Sequence, residues 1–145
     1  MIHEIRPHEG VGPINLGMTR DEVRTVLGAP TYSDPSKDFF CDSSLHAHYS
    51  SIGILELIVV APGPFEATFL GVNLLKVDAE NAVATVNAAA QLDTTDCEYP
   101  LSCTYPSLDL NLWRSCSPED DPEAGSRFEA IGIGTIGYFS RRRPS

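Results

Sequence analysis

Between Pro13 and Pro30 the chain reads PINLGMTRDEVRTVLGAP, and almost every residue there has a local backbone role. Thr19 and Glu22 have the T-x-x-E spacing of a capping box, in which hydroxyl and carboxylate each satisfy an N–H that the first helical turn leaves without a partner. Met18 before the cap and Val23 beyond it are spaced for a hydrophobic staple. Asp21 and Glu22 put negative charge at the positive end of the helix dipole. Val23, Val26 and Leu27 share one face, Gly28 supplies a left-handed stop, and Pro30 prevents continuation. The stretch predicts a short two-turn helix entered by a strand. Gly12 and Gly17 precede it, but neither G-x-x-x-x-G-K-[ST] nor G-x-G-x-x-G is present, so a phosphate loop is not indicated.

The same phrase recurs in worn form. Ile14-Asn15-Leu16 is echoed by Val72-Asn73-Leu74, and Asp78 then stands at the N-cap place ahead of AENAVATVNAAAQL, with Val77 and Ala82 at the staple positions. A second helix is predicted from about Ala79 to Leu92, with Ala82, Val83, Val86, Ala89 and Ala90 as its inward stripe. Two extended segments follow each helix. In the first half they are LHAHYSS, where Leu45, Ala47 and Tyr49 alternate with His46 and His48, and GILELIVV from Gly53. In the second they are LDLNLWRS, where Leu108, Leu110 and Leu112 alternate with Asp109, Asn111 and Trp113, and RFEAIGIGTIGYF from Arg127. Pro118 and Pro122 keep the acidic SPEDDPEAG loop, 117–125, irregular. The expected fold is α+β. Two tandem α-β-β units, residues 1–62 and 63–145, form one compact domain with one antiparallel sheet and both helices on one face. The opposite face is left uncovered, and function is expected there.

The segment GVGPINLGMTRDEVRTVLGAP resembles the opening of the helix-and-hairpin modules in two families, the β-lactamase inhibitory proteins and the small outer-membrane assembly lipoproteins. Their shared signature, G-x-[IL]-x-[LF]-G-M-[ST]-x-x-[EQ]-V-x-x-[IL]-x-G-x-P, is met here by Ile14, Leu16, Gly17, Met18, Thr19, Glu22, Val23 and Leu27 through Pro30. The tandem duplication favours the inhibitor-like arrangement, which in that family presents a concave sheet to a partner protein. Two departures stand out. The lipoproteins carry a lipidated cysteine after a leader, whereas MIHEIRPHEG has charge and proline where a signal peptide has an apolar core of about 7–15 residues. The inhibitors have one disulfide per module, whereas here Cys41 falls in the first half and Cys97, Cys103 and Cys116 in the second. With no stretch near the roughly 20 apolar residues of a membrane span, a cytoplasmic chain with reduced thiols is expected.

The formal charge of −10 disfavours nucleic acid and anionic lipid and favours a basic protein as partner. Arg141, Arg142 and Arg143 are too few for a nucleic-acid arm. Cys41, Asp42, His46 and His48 fall within eight residues and form the best local cluster for a metal or a nucleophile. The competing reading is an exposed strand face with two polar residues, and no metal or cofactor is assigned. No residue stands out as an enzymatic nucleophile. Trp113 breaks the register of the leucines beside it and should point to the open face, where a tryptophan among polar residues has the composition of a binding hot spot. The candidate partner-binding residues are Trp113, His46, His48, Asp109, Asn111, Glu119, Asp120 and Asp121. The expected function is a non-enzymatic inhibitor, an immunity protein that neutralises a basic toxin or effector by covering its active surface. The alternatives are a small-ligand or metal module using Cys41, His46 and His48, or an envelope assembly accessory protein.

Overall fold

The computed structural model describes residues 2–95 and 98–141 of the 145-residue chain. The first strands are β1 (Ile2–Arg6), β2 (Gly10–Val11) and β3 (Ile14–Asn15), and the helix α1 (Arg20–Leu27) follows them. Next come β4 (Tyr32–Ser33), β5 (Lys37–Phe40), β6 (Leu45–Tyr49), β7 (Leu55–Val60) and β8 (Glu66–Thr68). The helix α2 (Ala79–Asn87) leads to β9 (Ser102–Tyr105), β10 (Leu110–Trp113), β11 (Ala130–Gly134) and a last short helix, α3 (Tyr138–Arg141).

Among the described residues the strands form two sheets, not one. The larger is antiparallel throughout, with order β4-β5-β6-β7-β11-β10-β9, so strands from both halves meet at the β7–β11 pair. The smaller has order β3-β2-β1-β8, and its β1–β8 pairing is parallel, with Ile2 opposite Glu66. The expectation of a single sheet is corrected on this point. Its physical source is the N-terminal segment: Ile5, Val11 and Ile14 are buried with the main core, and three short strands hold them there.

Two cross-strand rows define the inner face of the large sheet. Tyr105, Leu110, Ile133, Ile58, Ala47 and Asp38 lie in one. Cys103, Leu112, Ile131, Val60, Leu45 and Phe40 lie in the other. All twelve are buried. The eleven of them other than Asp38 are apolar, and their removal from water on one surface supplies the main driving force for the fold, at about 25 cal/mol per Å² of apolar area.

The capping box and the glycine stop of α1 match their sequence reading. Thr19 accepts from the Glu22 N–H, and Glu22 accepts from the Thr19 N–H at 3.0 Å. Gly28 ends the helix at φ 87°, its N–H donating to the Arg24 carbonyl. Val23 is buried and Met18 packs against the core, while Val26 is exposed. Thr19→Ala is expected to lower stability by about 1 kcal/mol; an unchanged urea midpoint would show that the box adds nothing the rest of the turn does not already hold.

An inward carboxylate joins α1 to the sheet. Asp38 is fully buried on the inner face of β5. Its Oδ1 accepts from Arg20 Nη2 at 2.7 Å, Arg24 Nη2 at 2.8 Å and Ser33 Oγ at 2.8 Å, and its Oδ2 from Arg24 Nε at 2.9 Å and the Tyr49 hydroxyl at 3.0 Å. The i, i+4 arginines of α1 thus grip one residue of the sheet. Burial raises the Asp38 pKa, but these hydrogen bonds outweigh it and hold the carboxyl well below the usual carboxylate range.

The second helix is shorter than expected. It stops at Asn87 rather than Leu92, and the Asp78 side chain makes no capping hydrogen bond. No glycine or basic last turn marks its end, and Ala88 and Ala89 are exposed. Three buried residues, Ala79, Ala82 and Val86, hold it down. The Tyr105 hydroxyl donates to Asn87 Oδ1 at 2.9 Å, so α2 sits over the same inner face as α1. No helix of the described residues is long and apolar enough to cross a membrane.

Candidate functional site

The opposite face of the large sheet carries a third cross-strand row: Tyr32, Phe39, His46, Val59, Gly132, Asn111 and Thr104. At one end its rings touch. Tyr32 stacks on Phe39 with centroids 5.4 Å apart, Phe39 meets His46 edge-to-face at 4.6 Å, and the His46 and His48 rings stack at 6.2 Å. Tyr32 is 58% exposed. The Tyr32–Phe39 and Phe39–His46 contacts are a cross-strand ladder of the kind that stiffens antiparallel sheets, left with its outer ring in solvent.

His46 and His48 project from this face as their alternation with Leu45, Ala47 and Tyr49 predicts. The His46 Nε2 lies 2.7 Å from the Ser43 carbonyl, which can only accept, so this nitrogen carries the proton. Burial, with Lys37 acting in the same sense, lowers the His46 pKa despite that hydrogen bond. His48 stands opposite Lys37 and Leu57. Cys41 begins a turn in which it, Asp42 and Ser43 all have left-handed backbone, φ 53°, 54° and 65°. Among the described residues no three His, Cys, Asp or Glu side chains gather into a set that a metal ion could share. The sequence cluster of Cys41, His46 and His48 is therefore close in the chain without forming one.

Trp113 ends β10 on this open face, 41% exposed, and its cross-strand neighbours Ser102 and Ala130 are both small. Asn111 shares the face and donates to Ser102 Oγ at 2.7 Å and Thr104 Oγ1 at 3.0 Å. From His46 to Asn111 is three strand spacings, roughly 14 Å. The two aromatic ends thus share one surface without touching.

A short helix lies between them, so the face is not wholly uncovered. The last segment was expected to run as a strand through Tyr138, but the chain turns after Gly134 and α3 returns over the sheet. A Cβ on Gly132 would come within 3.0 Å of the Phe139 ring, and one on Gly134 within 2.6 Å of Tyr138 Cβ. Glycine at these two alternate positions makes a seat for the two aromatic residues, which is a reason for glycine inside a strand.

Asp109 holds that helix down and is a correction among the contact candidates. It is 2% exposed, not at the surface, with a left-handed φ of 47° in the turn before β10. That turn breaks the alternation that would have pointed it outward. Its Oδ2 accepts from the Gly137 N–H at 2.8 Å and faces His8 Nε2 at 2.9 Å, while Oδ1 accepts from the Phe139 N–H at 3.3 Å.

Glu119, Asp120 and Asp121 are exposed in the loop that follows β10. Two of them organise the loop itself. Asp121 Oδ1 accepts from the N–H groups of Glu123 and Ala124, and Asp120 Oδ2 accepts from Ser117 Oγ. Of the thiols, Cys41 is exposed, Cys116 half-buried and Cys103 buried; Cys97, Arg142 and Arg143 lie outside the described residues. Tyr32 and Phe39 are face residues that the sequence reading does not include. The usable signal was KDFF, in which Lys37 and Phe39 alternate with Asp38 and Phe40. Compared with known protein families, curated proteins and solved structures, the chain matches none.

Proposed function

We propose that the protein acts by binding another protein through the open sheet face, as a non-enzymatic inhibitor that covers its partner's active surface. The observation that carries this reading is the pair of exposed aromatic groups on one rigid antiparallel surface, the Tyr32–Phe39–His46 ladder and Trp113. Large rings fixed by their backbone lose little freedom on binding and dominate interface energies. The charge of −10 favours a basic partner and would speed its approach. Glu119, Asp120 and Asp121, exposed in the loop after β10, add to that field. The likeness of residues 10–30 to the inhibitory protein modules agrees with this function, and a toxin or effector of positive charge, neutralised in the cytoplasm, is the partner class it implies.

The test is capture on the immobilised protein from the source cells, washed at low and then high salt, with the wild type beside Trp113→Ala, Tyr32→Ala and the capping variant Thr19→Ala. One basic protein retained in equimolar amount by the wild type and by Thr19→Ala is the expected result. Trp113→Ala should weaken that association by roughly 30-fold or more, the hot-spot threshold of about 2 kcal/mol. Retention unaffected by either aromatic change would remove the open face from the interface.

A further inference from the structure

Arg114 follows Trp113 but turns the other way. Its side chain is 8% exposed, and no carboxylate of the described residues pairs with it. Nη1 donates to the Gly125 carbonyl at 2.7 Å and Nη2 to the Pro100 carbonyl at 3.3 Å, and the guanidinium lies 5.2 Å from the Phe128 ring centre. A guanidinium has five N–H donors. Two are engaged here, and the buried Nε has no acceptor. A buried cation left without an anion carries a desolvation cost that its two carbonyl partners offset only in part.

Arg114 borders two cavities. One, of about 330 Å³, is bounded by Val83, Leu92, Tyr99, Pro100 and Cys103 as well as Arg114. The other, of about 260 Å³, opens beside Ser126 and Pro118. Ala79 and Glu80, the first turn of α2, border both. This nine-residue helix has no side-chain cap from Asp78, so the N–H groups of its first turn and the positive end of its dipole remain available to an acceptor. The larger cavity is near the low end of the range for small-molecule sites, roughly 300–1,000 Å³. Its walls are mostly apolar, and Arg114 is the one cation among them.

We propose that this is a binding site for a small carboxylate with an apolar body, the carboxylate paired with the free donors of Arg114 near the α2 N-terminus and the body lying against Val83, Leu92 and Tyr99. A carboxylate forms paired hydrogen bonds with a guanidinium edge. A single negative charge is favoured over a phosphate dianion because Glu80 stands at the opening and the chain as a whole is acidic. The same group is offered by a free aliphatic acid or by the C-terminus of a peptide.

The experiment follows the backbone amides and the Arg114 Nε–H by NMR during titration with hexanoate, its neutral isostere hexanamide, and acetyl-Gly-Leu as free acid and as C-terminal amide. Saturable shifts at Arg114 and residues 79–83 with hexanoate or with the peptide acid, and not with the amides, are expected; which acid binds more tightly identifies the source. Arg114→Met should weaken binding roughly tenfold or more, equivalent to about 1.4 kcal/mol. Because that change can also disturb folding, Val83→Trp provides a second test: it fills the cavity with the guanidinium intact and should weaken binding similarly. Glu80→Gln should tighten it roughly twofold. Equal shifts from acid and amide, no saturable shift with either acid, or unchanged affinity in Val83→Trp would overturn the assignment.

Discussion

Asp38→Asn is expected to cost about 3 kcal/mol of stability at neutral pH, the lower end of what removing one partner from a buried charge network costs. The lower end applies because the Arg20 and Arg24 side chains are 24% and 39% exposed and can recover part of their hydration. Asparagine is nearly isosteric, so packing changes little and the effect reports the charge. The pH dependence provides a second readout. Since the folded-state pKa of Asp38 is depressed, its contribution is present in full above the unfolded value of about 3.9 and is lost as pH falls from there through the folded value. Urea midpoints for wild type and variant should therefore differ most at pH 7 and converge in acid. A constant difference from pH 7 to pH 2 would mean that the amide disturbs packing and that the charge is not what stabilises the contact.

Asp109→Ala should cost about 2 kcal/mol, since the half-buried N–H groups of Gly137 and Phe139 lose their acceptor at once. The expected loss is also local. With its anchor gone, α3 should leave the seat over Gly132 and Gly134 and expose the bonds after Tyr138 and Phe139 to chymotrypsin. Faster cleavage there, under conditions where the rest of the chain resists, would show local release. Cleavage at the wild-type rate would show that the ring contacts alone retain the helix. Asp109 also bears on interface mapping, because a binding defect in this variant would arise from a rearranged surface and not from a missing contact.

The readability of each element follows the range of its causes. The α1 start was legible because the cap, staple and stop involve residues within about ten positions of one another. Strands β6, β7 and β10 were legible through alternation or an apolar run. Strand β9, Ser102–Tyr105, was not, because all four of its residues are buried and no alternation exists to detect. Strand β5 was hidden by Asp38, a charged residue at a core position, which makes sense only once Arg20 and Arg24 are placed above it. The glycines at positions 132 and 134 of β11 have a reason only in the return of α3 over them. In the candidate site the outward direction of Trp113, His46 and His48 was readable from register. The inward turn of Asp109 and the return of α3 depend on tertiary contacts and left no local pattern.

The meeting of the two halves at β7 and β11 sets an order of events for the growing chain. Val60 pairs with Ile131, about 70 residues later. Until that late segment is made, the LELIVV strand, Leu55–Val60, can pair with β6 on one side while its other edge offers unpaired backbone groups and apolar side chains. Such an edge is a template for pairing between chains, and closing it requires a contact of long sequence separation, which forms slowly. The junction that unites the finished sheet is thus the most aggregation-prone edge of the unfinished one, and misassembly during synthesis or refolding should begin at β7.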